Sequence, residues 1–281
     1  MVLPWLPPGH TMVLQGRGEM FYRYHRHEDP AAPTLLLLHG WTASADLQFF
    51  TAYEALASEF SFVAVDHRGH GRGLRSATKF ELEDAADDAA LVLDGLGISQ
   101  VITVGYSMGG PISLLFARRH PDKVRGLVVE ATALEWRHKT YERLQWKFVH
   151  VLGWLLRSRV YPRWIRHGIR RLLGPNHPML PYVPWVAAEV HRNDAGGIVQ
   201  AGQALGRYDA TEWAKGIGKP AGALITTRDR LVWPRKQRAL ADALQAEVAE
   251  VADDHLCSWT SPDEFAKATL RLVQHVAERS A

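Results

Sequence analysis

The chain has 281 residues, 47% of them apolar and 22% charged, with one cysteine and a formal net charge of +3. These proportions exclude a disordered chain, a collagen-like rod and a long coiled coil, and the lone Cys257 excludes an intramolecular disulfide and a multi-cysteine zinc site. Residues 137–171 hold ten Lys/Arg against one acid, Glu142, which leaves the rest of the chain net acidic and argues against a uniformly basic nucleic-acid binder.

The first ten residues carry three prolines and no basic run, so no signal peptide is expected there. With a single cysteine suited to a reducing compartment, the expected location is cytoplasmic. Thr11–Gln15 and Met20–His25 flank Gly16-Arg17-Gly18 and predict an antiparallel hairpin at a sheet edge. Thr34–Leu38 (TLLLL) is a continuous apolar run, the mark of a strand covered on both faces. Phe62–Val65, Val101–Val104, Gly126–Val129 and Ala221–Ile225 read the same way, with Ala246–Val251 a weaker strand. Helical patterns over Asp46–Ser58, Leu82–Leu96, Met108–Arg119, Pro234–Leu244 and Pro262–Glu278 alternate with these strands. The alternation predicts an α/β fold with a mostly parallel sheet flanked by helices. The longest uncharged run, Gly95 to Ala117, has Gly105, Ser107, Gly109, Gly110 and Pro111 at its centre; it reads as strand, turn and helix, and no transmembrane segment is expected.

Between Glu135 and about Tyr208 the alternation stops. This stretch is helical in pattern, holds five of the ten tryptophans, and divides the chain into a core of 1–134 and 209–281 and an inserted helical segment of 135–208. Within it, Arg159, Arg163, Arg166 and Arg170 recur at helical spacing on one face, with Tyr161, Trp164, Ile165, Ile169 and Leu172 assigned to the other. A solvated basic face is the plain reading, and peripheral contact with a membrane or an acidic partner the sharper one. Phe148–Leu156 is apolar nearly all round, as a wall of an apolar pocket would be.

Chemistry concentrates at Gly105-Tyr106-Ser107-Met108-Gly109, between a strand and a helix, where G-x-S-x-G forms a nucleophile elbow. The tight turn leaves no room for a Cβ at the glycines, and it raises the serine hydroxyl at a helix N-terminus that favours developing negative charge. Serine is a weak nucleophile without a base, and the base needs an orienting carboxylate. Among 14 histidines, His255 follows the last strand; Asp229 follows Ala221–Ile225. Both fall at the carboxyl edge of the sheet, where open α/β sheets bind ligands. Glu130 and Asp253 are rival acids.

These residues make the chain resemble the α/β-hydrolase-fold superfamily, in its cap-bearing esterase, haloperoxidase and epoxide-hydrolase-like group. His39-Gly40-Trp41 matches the family's H-G-x oxyanion loop and Asp66-His67-Arg68-Gly69-His70-Gly71 its D-x-R-G-x-G loop. Arg228–Val232 resembles the acid loop and Asp254-His255-Leu256 the histidine loop. The sequence departs at Thr226 and Asp254, where the family often has glycine. The resemblance implies a serine hydrolase with Ser107 as nucleophile, His255 as base, Asp229 as acid, and Trp41 and Met108 as backbone oxyanion donors. It also implies an inserted cap over the site. His39 reads as a structural turn residue, and His67 with His70 lacks a metal-ligand spacing. A carboxylic ester with an apolar part is the expected substrate, with Trp146 and Trp154 in its pocket and no cofactor or metal. Acyl transfer, thioester, C–C bond or perhydrolase chemistry, and a non-catalytic binding role, use the same frame.

Overall fold

The computed structural model describes residues 2–136 and 161–280, except for the side chains of 161–163. Among the described residues, eight strands form one sheet in the order β1-β2-β4-β3-β5-β6-β7-β8. They are β1 (Gly9–Leu14), β2 (Gly18–His25), β3 (Thr34–Leu38), β4 (Ser61–Val65), β5 (Val101–Tyr106), β6 (Val124–Glu130), β7 (Ala221–Thr226) and β8 (Glu247–Val251). The β1–β2 hairpin is antiparallel and joins the sheet antiparallel to β4; every later pairing is parallel. The predicted hairpin is present two residues earlier in its first strand, and the six predicted parallel strands are all found, within two residues at each end.

The sheet buries both faces because helices cover both. On one side lie α3 (Leu82–Gly95), α4 (Gly109–Arg119) and α8 (Pro234–Leu244), sharing a core with Leu36, Leu38 and Val129. On the other lie α1 (Ala45–Phe49), α2 (Tyr53–Ala57) and α9 (Pro262–Arg279), packed with Leu35, Leu37 and Val104. Neighbouring leucines of β3 thus serve opposite cores, and each fully buried side chain contributes about 1.5–3 kcal/mol. The helix predicted over Asp46–Ser58 is two short helices instead. At the break, Ala52 N–H donates to Phe49 O and the Thr51 hydroxyl donates to Ser258 O, so the regular ladder gives way to contacts with the histidine loop.

From β3 the chain passes to β4 on one side, then crosses to β5 on the other. The carboxyl ends of β3 and β5, paired at Leu38 and Gly105, therefore mark the point where strand order reverses, the place where such sheets open a crevice.

The segment between β6 and β7 carries α5 (Tyr161–Leu173), α6 (Val183–Val190) and α7 (Ala195–Leu205). Glu135 and Asp209 pair across its base as an isolated antiparallel bridge. On α5 the inward stripe is Ile165, Ile169 and Leu173, an i, i+4 row with Ile169 buried and the other two half-buried against the core that holds Trp185 and Val186. Trp164 and Leu172, assigned to that face from the sequence, point outward at 74% and 49% exposure. At 100° per residue they fall beside the stripe, not on it. Arg166 and Arg170 are exposed, as expected. Trp146, Trp154, Arg159 and the Phe148–Leu156 run lie outside the described residues. Among the described residues no helix is long and apolar enough to cross a membrane.

Candidate active site

The turn after β5 is set by close packing of backbone. A Cβ on Gly109 would lie 1.9 Å from the Leu38 carbonyl oxygen, and one on Gly105 would lie 2.3 Å from that of Gly109. Neither backbone atom can yield, so the helix α4 can start this near the sheet with no other residue at these positions. The chain turns by placing Ser107 at φ 51°, a left-handed conformation that costs a non-glycine residue about 1–3 kcal/mol. The Ser107 N–H donates to Glu130 O, and the Gly110 N–H to Ser107 O, holding the turn from both sides.

At that point the hydroxyl meets a row of side chains from two other loops. Ser107 Oγ lies 2.9 Å from His255 Nε2, and His255 Nδ1 lies 2.7 Å from Asp229 Oδ2. Burial pushes the Asp229 carboxyl up, but the His255 hydrogen bond and charge, with donors from Val232 and Thr226, pull it below its ordinary value. An ionised Asp229 draws the imidazole proton to Nδ1 and leaves Nε2 to accept from Ser107 Oγ. The Asp229 carboxylate takes five donors in all. Leu231 N–H and Val232 N–H reach Oδ1 at 2.8 Å each; Thr226 Oγ1 at 2.8 Å, Gln237 Nε2 at 3.1 Å and His255 reach Oδ2. Tyr106, next to the serine, donates its hydroxyl to the His255 carbonyl at 2.7 Å and ties the histidine loop to the elbow.

The rival acids are engaged elsewhere. Glu130 is buried and turned to Thr269, whose hydroxyl it accepts at 2.6 Å, and burial raises its carboxyl to about 7. Asp253 accepts from Thr260, Ser261 and the Asp254 N–H. His39 has both ring nitrogens committed to backbone: Nε2 accepts from the His67 N–H at 2.9 Å, which leaves Nδ1 to donate to Gly40 O at 2.8 Å. The His67 and His70 rings pack on His39, centroids 4.3 and 5.3 Å away. Among the described residues no group of metal-ligating side chains converges.

Trp41 and Met108 flank Ser107, one in the loop after β3 and the other at the start of α4. Met108 is fully buried; the Trp41 indole N–H donates to Ile198 O at 2.8 Å. Beside Ser107 lies a cavity of about 110 Å³ lined by the Trp41–Ala43 loop, Gln48, Tyr106, Val190, His255, Leu256, Ser258 and Trp259. Sequence reasoning missed Thr226, Gln237 and Tyr106. Thr226 had a signal, since it stands three residues before Asp229 where the resemblance expects glycine; the departure supplies a hydroxyl to the carboxylate. Gln237 lies one turn into α8 and carries no local mark.

The fold and this edge define the class. A family profile described as "alpha/beta hydrolase fold" matches residues 33–166, just under half of the chain, and the chain has that fold. The chain is similar to an esterase from Exiguobacterium antarcticum, with TM-score 0.80 over 95% of this chain and 100% of that one at 17% identity, a likeness of fold. In sequence it is 36% identical to 2-(acetamidomethylene)succinate hydrolase of Mesorhizobium japonicum over 101 residues, 36% of each chain. It is 32% identical to 1-acylglycerol-3-phosphate O-acyltransferase of Arabidopsis thaliana over 165 residues, 53% of this chain and 37% of that protein. Each alignment thus spans little more than a third of the curated relative's length.

Proposed function

We propose that the protein is a serine hydrolase acting on a carboxylic ester. The observation that carries this reading is the continuous row from Ser107 Oγ through His255 to Asp229, with contacts of 2.9 and 2.7 Å. His255 Nε2 takes the hydroxyl proton as Ser107 Oγ bonds to the carbonyl carbon. The N–H groups of Trp41 and Met108 hold the negative charge that develops on the carbonyl oxygen. His255 passes its proton to the leaving alcohol; water, deprotonated by the same ring, then releases the acid and restores Ser107. No step calls for a cofactor.

The segment of 135–208 acts in this reading as a cap above the carboxyl edge. Two observations support that role: Val190 from α6 lines the cavity beside Ser107, and both ends of the segment meet at the Glu135–Asp209 bridge. An apolar acyl or alcohol part is the substrate class proposed. A fluorophosphonate probe should label the wild type and leave Ser107→Ala unlabelled. p-Nitrophenyl esters from acetate to octanoate should show kcat/KM rising with chain length, by up to about 0.8 kcal/mol per buried methylene, until the pocket is full. A flat profile would indicate a polar substrate instead.

Acyl transfer is the second reading, supported by the similarity to an acyltransferase. The same acyl-enzyme would pass its acyl group to an alcohol wherever the cap keeps water out. Product analysis with and without added alcohol separates the two.

A further inference from the structure

Two loops of the core converge on one side chain from the segment above them. Asn193, in the connection between α6 and α7, donates from Nδ2 to the Thr42 carbonyl at 2.7 Å and accepts at Oδ1 from the Gly71 N–H at 2.8 Å. The neighbouring Trp41 indole donates to Ile198 O, five residues further along the chain. The Trp41–Thr42 turn is therefore gripped on both sides by chain about 150 residues away. Thr42 stands at φ 66°, a left-handed conformation that a β-branched residue adopts when its surroundings impose it.

The gripping segment is itself fixed. Arg72 makes a bidentate pair with the buried carboxylate of Glu189, at 2.7 and 2.8 Å. Asp194 N–H donates to Gly69 O, and Gly69 meets Gly197 so closely that a Cβ on either would collide with the other's Cα. Arg75 adds a bond to Arg192 O. The connection cannot slide over the loop that carries Gly69 and Gly71, and through Asn193 that fixed position passes to Thr42.

We propose that Asn193 is a positioning residue for the oxyanion loop: it holds the Trp41–Thr42 turn so that the Trp41 N–H faces the developing oxyanion. The inference rests on the reading of Ser107 as nucleophile and Trp41 N–H as a donor. Its consequence is that the segment above the sheet sets the rate of the chemical step as well as the choice of substrate. A residue that merely docked that segment would change stability or KM and leave kcat per active serine intact.

The test compares the full-length wild type with Asn193→Asp and Asn193→Leu, with Ser107→Ala as blank. Asn193→Asp keeps an acceptor for Gly71 and loses the donor to Thr42 at constant size. Fluorophosphonate titration counts active serines, and p-nitrophenyl butyrate gives kcat and KM for each. A trifluoromethyl ketone, which adds to the serine and leaves a tetrahedral oxyanion, gives Ki. Per titrated serine, kcat should fall about 10- to 100-fold, KM should stay within about threefold, and Ki should weaken by about the same factor as kcat. Loss confined to KM, or kcat within about twofold of wild type in both variants, overturns the inference and leaves the hydrolase reading standing. A wild type that neither labels nor turns over ester overturns the hydrolase reading, and this inference with it. If circular dichroism shows that the substitutions at Asn193 prevent folding, Trp41→Phe, which keeps an aromatic ring and removes the bond to Ile198, must show the same kcat loss or the inference falls.

Discussion

The elbow at Ser107 and the connection at Asn193 hold the same site from opposite sides and by opposite means. Below, the turn is fixed by exclusion: Gly105 and Gly109 stand where backbone carbonyls leave no space for a Cβ. Above, the Trp41–Thr42 turn is fixed by attraction, through side-chain hydrogen bonds between residues more than a hundred positions apart. Steric exclusion restricts residue type severely at each position it touches, even where the obstacle lies far back in the chain as Leu38 does for Gly109, so it leaves a spaced glycine signature. A polar seam accepts many residue pairs over long separations and leaves none.

The largest effect expected lies on the lower side. Ser107→Ala should lower kcat by about 10⁴-fold or more and abolish covalent labelling, because members of such a row act as a unit. Wild-type labelling of that variant would remove Ser107 from the chemistry.

Gly109→Ala tests exclusion directly. Its Cβ has no path away from the Leu38 carbonyl, so destabilisation of about 3 kcal/mol, at the upper end for overpacking, should appear in urea unfolding. A stable, active variant would show that the turn yields. On the upper side, Glu189→Gln takes from Arg72 its bidentate carboxylate and leaves it the longer contact with the buried Asp46 at 3.4 Å. Arg72 keeps some access to water, so about 2 kcal/mol is expected, below the cost of breaking a fully buried pair. If this loss exceeded that of Gly109→Ala, attraction would outweigh exclusion in holding the edge together.

Thr226→Val removes one of five donors to Asp229 at nearly constant shape. The other four remain, so kcat should fall about three- to tenfold, and a larger loss would make the threonine a principal determinant of the His255 orientation.

The smallest effect concerns the histidines behind the H-G-x loop. Burial, with the charges of neighbouring histidines, holds His39 well below its ordinary 6.5 and takes His67 down to about 3; burial takes His70 to about 4. Unfolded, these rings bind protons from about 6.5 downward, while in the fold they stay neutral, so unfolding takes up protons and stability falls as pH drops from 6.5 toward 4. Asp66 and Glu130, raised to about 7 by burial, act oppositely and cost stability as pH rises from about 4 to 7. Comparing variants isolates the histidine contribution. The Tm deficit of His67→Leu relative to wild type should shrink between pH 7.5 and pH 5, and a deficit that widened would contradict a neutral buried ring.

Most of the sheet was legible because its central strands, β3 to β7, are buried and carry apolar runs, Thr34–Leu38 most plainly. The positions of Ser107, Asp229 and His255 on one edge followed from strand order, and their contacts join them there. What the sequence did not carry was contact between distant side chains. Gln237 sits at an ordinary helical position yet bonds Thr226, Asp229 and Val232. Asn193 carries no local mark in the sequence, and only the fold brings Gly71 and Thr42 beside it. Grouping apolar residues by type assigns Trp164 inward, whereas the i, i+4 row Ile165–Ile169–Leu173 takes the inward place.

The bridge between Glu135 and Asp209 gives the segment above the sheet the anatomy of an exchangeable module. Residues paired this way lie about 5 Å apart, so the sheet sees the departure and return of the chain as one short gap. Replacing everything between them leaves β6 and β7 where they are, and a segment of different length costs little, since closure entropy grows only with the logarithm of loop length. A transplanted segment would nonetheless lack the partners of Arg72, Gly71 and Thr42 unless it brought its own. Recombination at this junction should therefore give well-folded chimeras easily and active ones rarely, with activity returning when the equivalents of Glu189 and Asn193 are grafted along with the new helices.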